Sequence, residues 1–255
     1  MEESEKTFCD QELKEDEVLA ALKLMRNKSS PGITGFYYFF FTELKPYLLD
    51  SYSYSLQSGQ LSYSQRRGMI TLLHKSKGLS RDDLGNWRPI SLTNTDYKIL
   101  AKALAVRLGK VISNIVNIDQ SGFLKGRNIS STLREIADII EYENDQMRNS
   151  IVLAIDYQKA FDTVSVNFIL ETFKRFGFGE NFLKWLTVLL KERTGLVNNG
   201  GYQFREFNIE RGERQCCPIA SLMHTSFSPK YQAKSSHQRN NLPKKTGRYV
   251  KTQAI

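Results

Sequence analysis

The stretch LAIDYQKAFDTV, residues 153–164, climbs through aliphatic side chains into Asp156 and leaves through Lys159, Phe161 and Asp162. An apolar run that ends in an acid predicts a strand over residues 150–156 that carries a carboxylate to the end of a sheet. Taken alone the pattern is ambiguous, because many strands end in an acid that only caps the next helix. A catalytic carboxylate needs partners, so the rest of the chain decides what Asp156 is for.

Upstream, Val18, Leu19, Leu22 and Met25 recur at helical spacing, and KSSPGITG at 28–35 breaks that helix. A second helix is expected across residues 37–59, with the aromatic run Tyr37–Phe41 buried in the core. RRGMITLLHK at 66–75 alternates as a strand does, and WRPISL at 87–92 is extended because Pro89 keeps Arg88 out of helical geometry. A long helix follows at 93–116, with Ile99, Leu100, Ala103, Leu104, Leu108 and Val111 on one side. Lys98, Lys102 and Arg107 fall elsewhere on it and read as a solvated outer face, with phosphate contact as the alternative. Downstream of residue 128 come a helix through LREIADIIEYEND, the strand ending at Asp156, helices at 164–177 and 180–193, and short extended pieces in GLVNN and YQFREFNIE. Mixed in this order, the elements predict an α+β fold with its site at strand ends.

At 255 residues and 40% apolar content the chain can build a core. No apolar run reaches the roughly 20 residues that span a bilayer, and the acidic N-terminus lacks the basic and apolar regions of a secretion signal. A protein that stays inside the cell, in cytoplasm or nucleus, is expected, and no membrane partner. Three cysteines, two of them adjacent at 216 and 217, suit neither a disulfide framework nor a zinc site. The net charge of +9 is uneven: residues 1–17 hold eight acids and two lysines, whereas residues 223–255 hold seven Lys or Arg and no acid. The body between them is still basic, which favours a phosphate-rich partner.

Six segments then occur in one order: NWRPISL (86–92), DYKILAKALAVRL (96–108), DQSGFLKGRNI (119–129), DYQKAFDTV (156–164), FGFGENFLKWL (176–186) and ERGERQCCP (210–218). The series resembles the reverse transcriptases of LINE-type retrotransposons, those without long terminal repeats. The resemblance implies the fingers and part of the palm of a right-hand polymerase over residues 13–222, after an acidic segment at 1–12 and before an unrelated basic tail at 223–255. It implies an RNA template, a DNA primer and deoxynucleotides as partners, and leaves the oligomeric state open. Asp156 matches the first metal aspartate, where two Mg²⁺ ions would activate the primer oxygen and steady the leaving group. Phe161 matches the aromatic gate against a ribose 2′-hydroxyl. Lys75 and Arg88 match finger residues on the incoming triphosphate. Gln215 matches the residue beneath nucleotide and template base. Gly122, Lys125, Gly126 and Arg127 match the template-contacting loop.

The departures point the other way. Cys216 stands where the family has glycine, Ile219, Ala220 and Ser221 replace Leu-Ser-Pro, and Ile33 and Thr34 replace the usual Pro-Asp. The family's paired aspartates sit on a later palm hairpin, yet Asp162 is the last aspartate of this sequence, and the adjacent pair Asp82 and Asp83 lies in a polar loop. Hairpin and thumb are therefore expected to be missing. The expected function is RNA-directed DNA polymerase by descent, held in an inactive chain with doubtful Mg²⁺ binding. The alternative is a non-catalytic binder of single-stranded nucleic acid. Residues 224–255, basic and poor in aliphatics, are expected to be disordered.

Overall fold

The computed structural model describes residues 1–25, 30–37, 39–75, 78–147, 149, 151–156 and 159–226. Two short helices open it, α1 (Glu3–Asp10) and α2 (Glu15–Lys23). In α2 the acids Glu15, Asp16 and Glu17 crowd the first turn, where the helix dipole favours negative charge, and Val18, Ala21 and Leu22 face inward. The helix expected across 37–59 divides into α3 (Phe40–Glu43) and α4 (Lys45–Ser58), with Pro46 in the first turn of α4 and Gly59 left-handed at its end. The aromatic run does not enter the core as expected. Phe41 is buried, whereas Tyr37, Phe39 and Phe40 are exposed, because α3 is a single turn and can aim only one ring inward. Tyr38 lies outside the described residues.

After the one-turn α5 (Tyr63–Arg66), β1 (Arg67–His74) and β2 (Trp87–Thr93) pair antiparallel around the polar loop, in register Leu73 to Arg88 and His74 to Trp87. In that loop Asp83 accepts a bond from the Gly85 amide at 2.7 Å and Asp82 is exposed, as a hydrated turn requires. α6 (Thr95–Ile115) follows. Farther along come α7 (Ile129–Asp145), the single turn α8 (Ala160–Thr163), α9 (Val166–Arg175) and α10 (Glu180–Leu190). Three strands and a short helix complete the order: β3 (Arg193–Asn199), β4 (Tyr202–Gln203), β5 (Phe207–Ile209) and α11 (Ala220–Thr225). β3 lies parallel to β1, while β4 and β5 pair antiparallel with successive parts of β3.

The core gathers around α6. Its predicted apolar face is buried throughout, packed with Val18, Tyr52, Phe173, Phe182, Trp185 and Leu189 from the neighbouring helices. Arg107 departs from the expectation of a solvated face: it is buried, and its guanidinium grips Glu17 through two bonds of 2.6 and 2.5 Å and also donates to the carbonyls of Cys9, Gln11 and Glu12. Burial pushes the Glu17 carboxyl up, but the hydrogen bonds from Arg107 and the Lys14 amide and the charges of Arg107 and Lys110 together outweigh it, and the net shift is downward. Lys98 is likewise drawn in, donating to the Ser30 carbonyl at 2.5 Å.

The strand expected at 150–156 is not formed. Residues 151–156 have no regular structure and are exposed, with Ile151 at 87% and Val152 at 67%. Strand conformation is held by a ladder of backbone bonds to a neighbour, and the sheet here is built from β1 to β5 without this segment. The first residues of the supposedly disordered tail are ordered instead: His224 and Thr225 close α11, and Thr225 and Ser226 are buried. The remainder of that expectation, from residue 227 on, lies outside the described residues.

Candidate functional site

Two groups of expected site residues emerge, while Asp156 ends the exposed, irregular segment 151–156. The first is on the sheet. Leu73 lies opposite Arg88, and the Lys75 amide donates to the Asn86 carbonyl at 2.9 Å, which extends the β1–β2 ladder by one more step. Side chains directly opposite in an antiparallel pair share a face, and so do residues two apart, so Lys75 and Arg88 project from the same face of the hairpin. Both are exposed, and neither side chain forms a hydrogen bond or ion pair among the described residues.

The second group forms where segment 211–217 docks on segment 161–165. The Glu213 amide donates to the Phe161 carbonyl and the Gly212 amide to the Val164 carbonyl, each at 2.7 Å, and Ser165 forms an isolated bridge with Arg211. Gly212 is required there: its φ is +74°, and a Cβ would lie 2.6 Å from the Asp162 carbonyl oxygen. This docking sets Gln215 beside Asp162, its amide nitrogen 3.3 Å from Oδ1. The Phe161 ring stacks on His224 with centroids 4.2 Å apart and takes Phe123 edge-on at 6.4 Å. Burial holds the His224 imidazole below its ordinary pKa, so the stack is made by a neutral ring.

Phe123 brings in the glycine-containing loop. Phe123 and Gly126 are both left-handed, and Lys125 and Gly126 are exposed at its tip, while Gly122 is half-buried. Arg127 turns back: its guanidinium donates to the carbonyls of Ser113, Val116, Asn117 and Gln120. It thereby satisfies the end of α6, where carbonyls have no helical partner.

Behind the docked segment lies a group that sequence reasoning missed. Arg193 donates to the Gly212 carbonyl at 2.9 Å, and Arg214 donates to the carbonyls of Arg66 and Thr194 and lies over the Tyr97 ring. Tyr97 in turn shares a 3.4 Å hydrogen bond with Cys217. Glu213 is buried among them with neither carboxyl oxygen bonded, and burial pushes its pKa up to about 9 although Arg193 pulls it down. The residues between Gly212 and Cys217 alternate little in hydropathy, so no sequence pattern marked these charges as interior. Asp162 was visible as the second acid of the opening stretch, but nothing local paired it with Gln215. A cavity of about 550 Å³ lined by Arg66, Arg193, Thr194 and Asn208 opens elsewhere, and no expected site residue lines it.

Cys216 has φ +76°, the left-handed region that a side chain occupies at a cost, and it is exposed. The backbone thus keeps the conformation natural to glycine while carrying a thiol. Residues 73–238 match the family described as reverse transcriptase (RNA-dependent DNA polymerase). The chain belongs to that family. It is similar to the transposon TX1 uncharacterized 149 kDa protein of Xenopus laevis, 32% identical over 82% of this chain and 16% of that protein. It is also similar to retrovirus-related Pol polyproteins from R2 retrotransposable elements of Popillia japonica, 30% identical over 60% of this chain and 21% of the relative, and of Drosophila melanogaster, 24% identical over 66% and 16%. These relatives are of the LINE type, and the chain spans about a sixth to a fifth of their length. It is an RNA-directed DNA polymerase domain by descent, and its mixed sheet and helices are compatible with the fingers and palm of that family.

Family membership raises the question of magnesium. Two hard cations need several converging carboxylates. Asp156 stands at the end of an exposed, irregular segment, Asp162 faces the Gln215 amide, and among the described residues no three His, Cys, Asp or Glu side chains come together. The described residues do not fit a two-ion site. No helix among the described residues is long and apolar enough to cross a membrane.

Proposed function

We propose that this chain is a reverse transcriptase domain that holds single-stranded nucleic acid without extending it. The observation that carries the reading is the contrast between the cations and the carboxylate: Lys75 and Arg88 project from one face of a paired hairpin, whereas Asp156 ends an exposed, irregular segment and joins no group of three His, Cys, Asp or Glu among the described residues. Phosphate contacts need only exposed cations on a fixed frame, and they give salt-sensitive, sequence-tolerant affinity. Polymerisation needs two shielded metal ions, which one carboxylate does not hold against their mutual repulsion. In this reading residues 13–222 form the fingers and partial palm. Lys75, Arg88 and Lys125 contact phosphates, Phe161 and Gln215 border the nucleotide, and Gly122, Gly126 and Arg127 shape the loop that receives the template. The palm hairpin and thumb are not supplied by these residues, and the chain acts inside the cell, where its nucleic-acid partners are.

The test is primer extension on an RNA template with Mg²⁺ and deoxynucleotides, beside an Asp156→Ala control, together with binding of single-stranded RNA at low and high salt. Retention that falls steeply with salt, without extension by either protein, is the expected result. Extension by the wild type and none by the control would restore a polymerase.

A further inference from the structure

The exposed rings that failed to enter the core are arranged, and the arrangement has the form of a binding surface. Phe36 and Phe40 are 48% and 43% exposed, and their rings stack with centroids 4.6 Å apart and planes 10° from parallel. The buried Phe41 meets both edge-on, at 6.4 Å with planes 86° apart and at 5.6 Å with planes 88° apart. A pair braced by a third ring is fixed before anything binds, and both of its rings stay exposed to solvent. Tyr37, 43% exposed, stacks instead with Phe39, their centroids 6.1 Å apart.

The loop carrying these rings is fastened to the elements that hold the candidate site. The Thr95 hydroxyl donates to the Phe36 carbonyl at 2.6 Å, and the Thr34 amide donates to the Asn94 side chain at 3.1 Å. Gly32, with φ +79°, lets the loop lie flush on the end of β2, since a Cβ there would fall 2.5 Å from the Thr93 carbonyl oxygen. One turn along α6, Lys98 binds the Ser30 carbonyl, while its neighbour Tyr97 bonds Cys217, the residue after Cys216. Loop, α6 N-terminus and the segment Gln215–Cys217 therefore form one neighbourhood.

We propose that Phe36 and Phe40 form a stacking platform for the bases of a single-stranded nucleic acid beside Gln215 and Cys216. This proposal rests on the nucleic-acid-binding reading above and names where the bases go. Every base presents a π-face, so such a platform is sequence-tolerant, and it complements the phosphate contacts of a chain with net charge +9. The sequence run of aromatics has no stacking periodicity. The pair arises because one ring precedes the one-turn α3 and the other begins it.

The test uses the full chain and a single-stranded RNA of about 15 nucleotides, beside an abasic strand of the same length and charge. The wild type is expected to bind the base-bearing strand about tenfold more tightly. Phe36→Leu with Phe40→Leu, which keeps apolar volume but removes the rings, is expected to abolish that preference and leave the salt dependence unchanged. Lys75→Ala with Arg88→Ala is expected to flatten the salt dependence and keep the preference. Equal affinity of the wild type for both strands would overturn the platform while the phosphate-binding reading stands, and this readout needs no variant to fold. A leucine variant that binds RNA as the wild type does but changes self-association would assign the rings to a protein contact and also overturn it. Failure of the wild type to retain either strand at low salt would remove the nucleic-acid reading and the platform with it.

Discussion

The helices α6 and α7 both carry an apolar stripe at helical spacing, and they meet opposite fates. α6 buries thirteen of its twenty-one residues, and its neighbours are α1, α2, α5 and α11. α7 buries Thr132 alone among its seventeen, and leaves Ile129, Leu133, Ile139 and Ile140 exposed, as is the aliphatic segment at 151–155 that follows it. Amphipathic periodicity is enough to specify a helix, but it does not supply the surface that the apolar side needs. The contrast divides the chain into a region where mutations should be felt in stability and a region where they should be felt only in solubility.

Arg107→Ala offers the largest expected effect, because it leaves Glu17 half-buried without its partner and three carbonyls without donors. A loss of about 3–5 kcal/mol is expected in urea unfolding. The Glu17 carboxyl, held below its ordinary value, adds a pH signature: its contribution is present above the unfolded-state pKa and fades as pH falls through the folded one. A loss under about 1 kcal/mol would break the contrast between the two helices.

Glu213→Gln should move stability the other way. An ordinary glutamate titrates near 4.5, whereas the folded carboxyl is pushed up to about 9 by burial. The fold binds a proton that the unfolded chain releases, so this group favours the fold below 4.5 and does so progressively less up to about 9. The amide has no proton to lose, so the variant should gain about 1–3 kcal/mol at pH 8 and little at pH 4.5. Thermal melts at the two pH values decide it; a loss at pH 8 would mean that the ionised carboxylate is held by Arg193.

Cys216→Gly should stabilise by about 1 kcal/mol, since glycine occupies φ +76° without the Cβ penalty. The gain is measured by denaturant midpoint, and an unchanged or lowered midpoint would show that the thiol makes a compensating contact. Smallest of all is the change expected from Ile151→Lys with Leu153→Lys: within about 0.5 kcal/mol in stability, with reduced aggregation on concentration by light scattering. Destabilisation beyond 2 kcal/mol would show that the segment is packed in solution.

Much of this protein was legible in the sequence. The alternation of 66–75 specified a strand and Pro89 an extended piece at 87–92, the spacing from Ile99 to Val111 specified the central helix, and six ordered motifs specified the family. These signals are local, or repeat along the chain, so they survive without knowledge of what packs where. The strand ending at Asp156 was misread for the complementary reason: a strand exists only through its ladder, and no composition reveals whether a neighbour is present. The aromatic run misled in the same way, since burial of a ring depends on how many turns its helix completes. Tertiary structure alone turned Arg107 inward onto Glu17, hid Glu213 and Arg214 behind the Gln215 segment, set Phe161 against His224 and left Phe36 on Phe40 facing solvent. Each of those outcomes joins residues far apart in sequence or depends on how a loop is seated, and their partners are chosen by the geometry of the fold, which pattern along the chain does not encode.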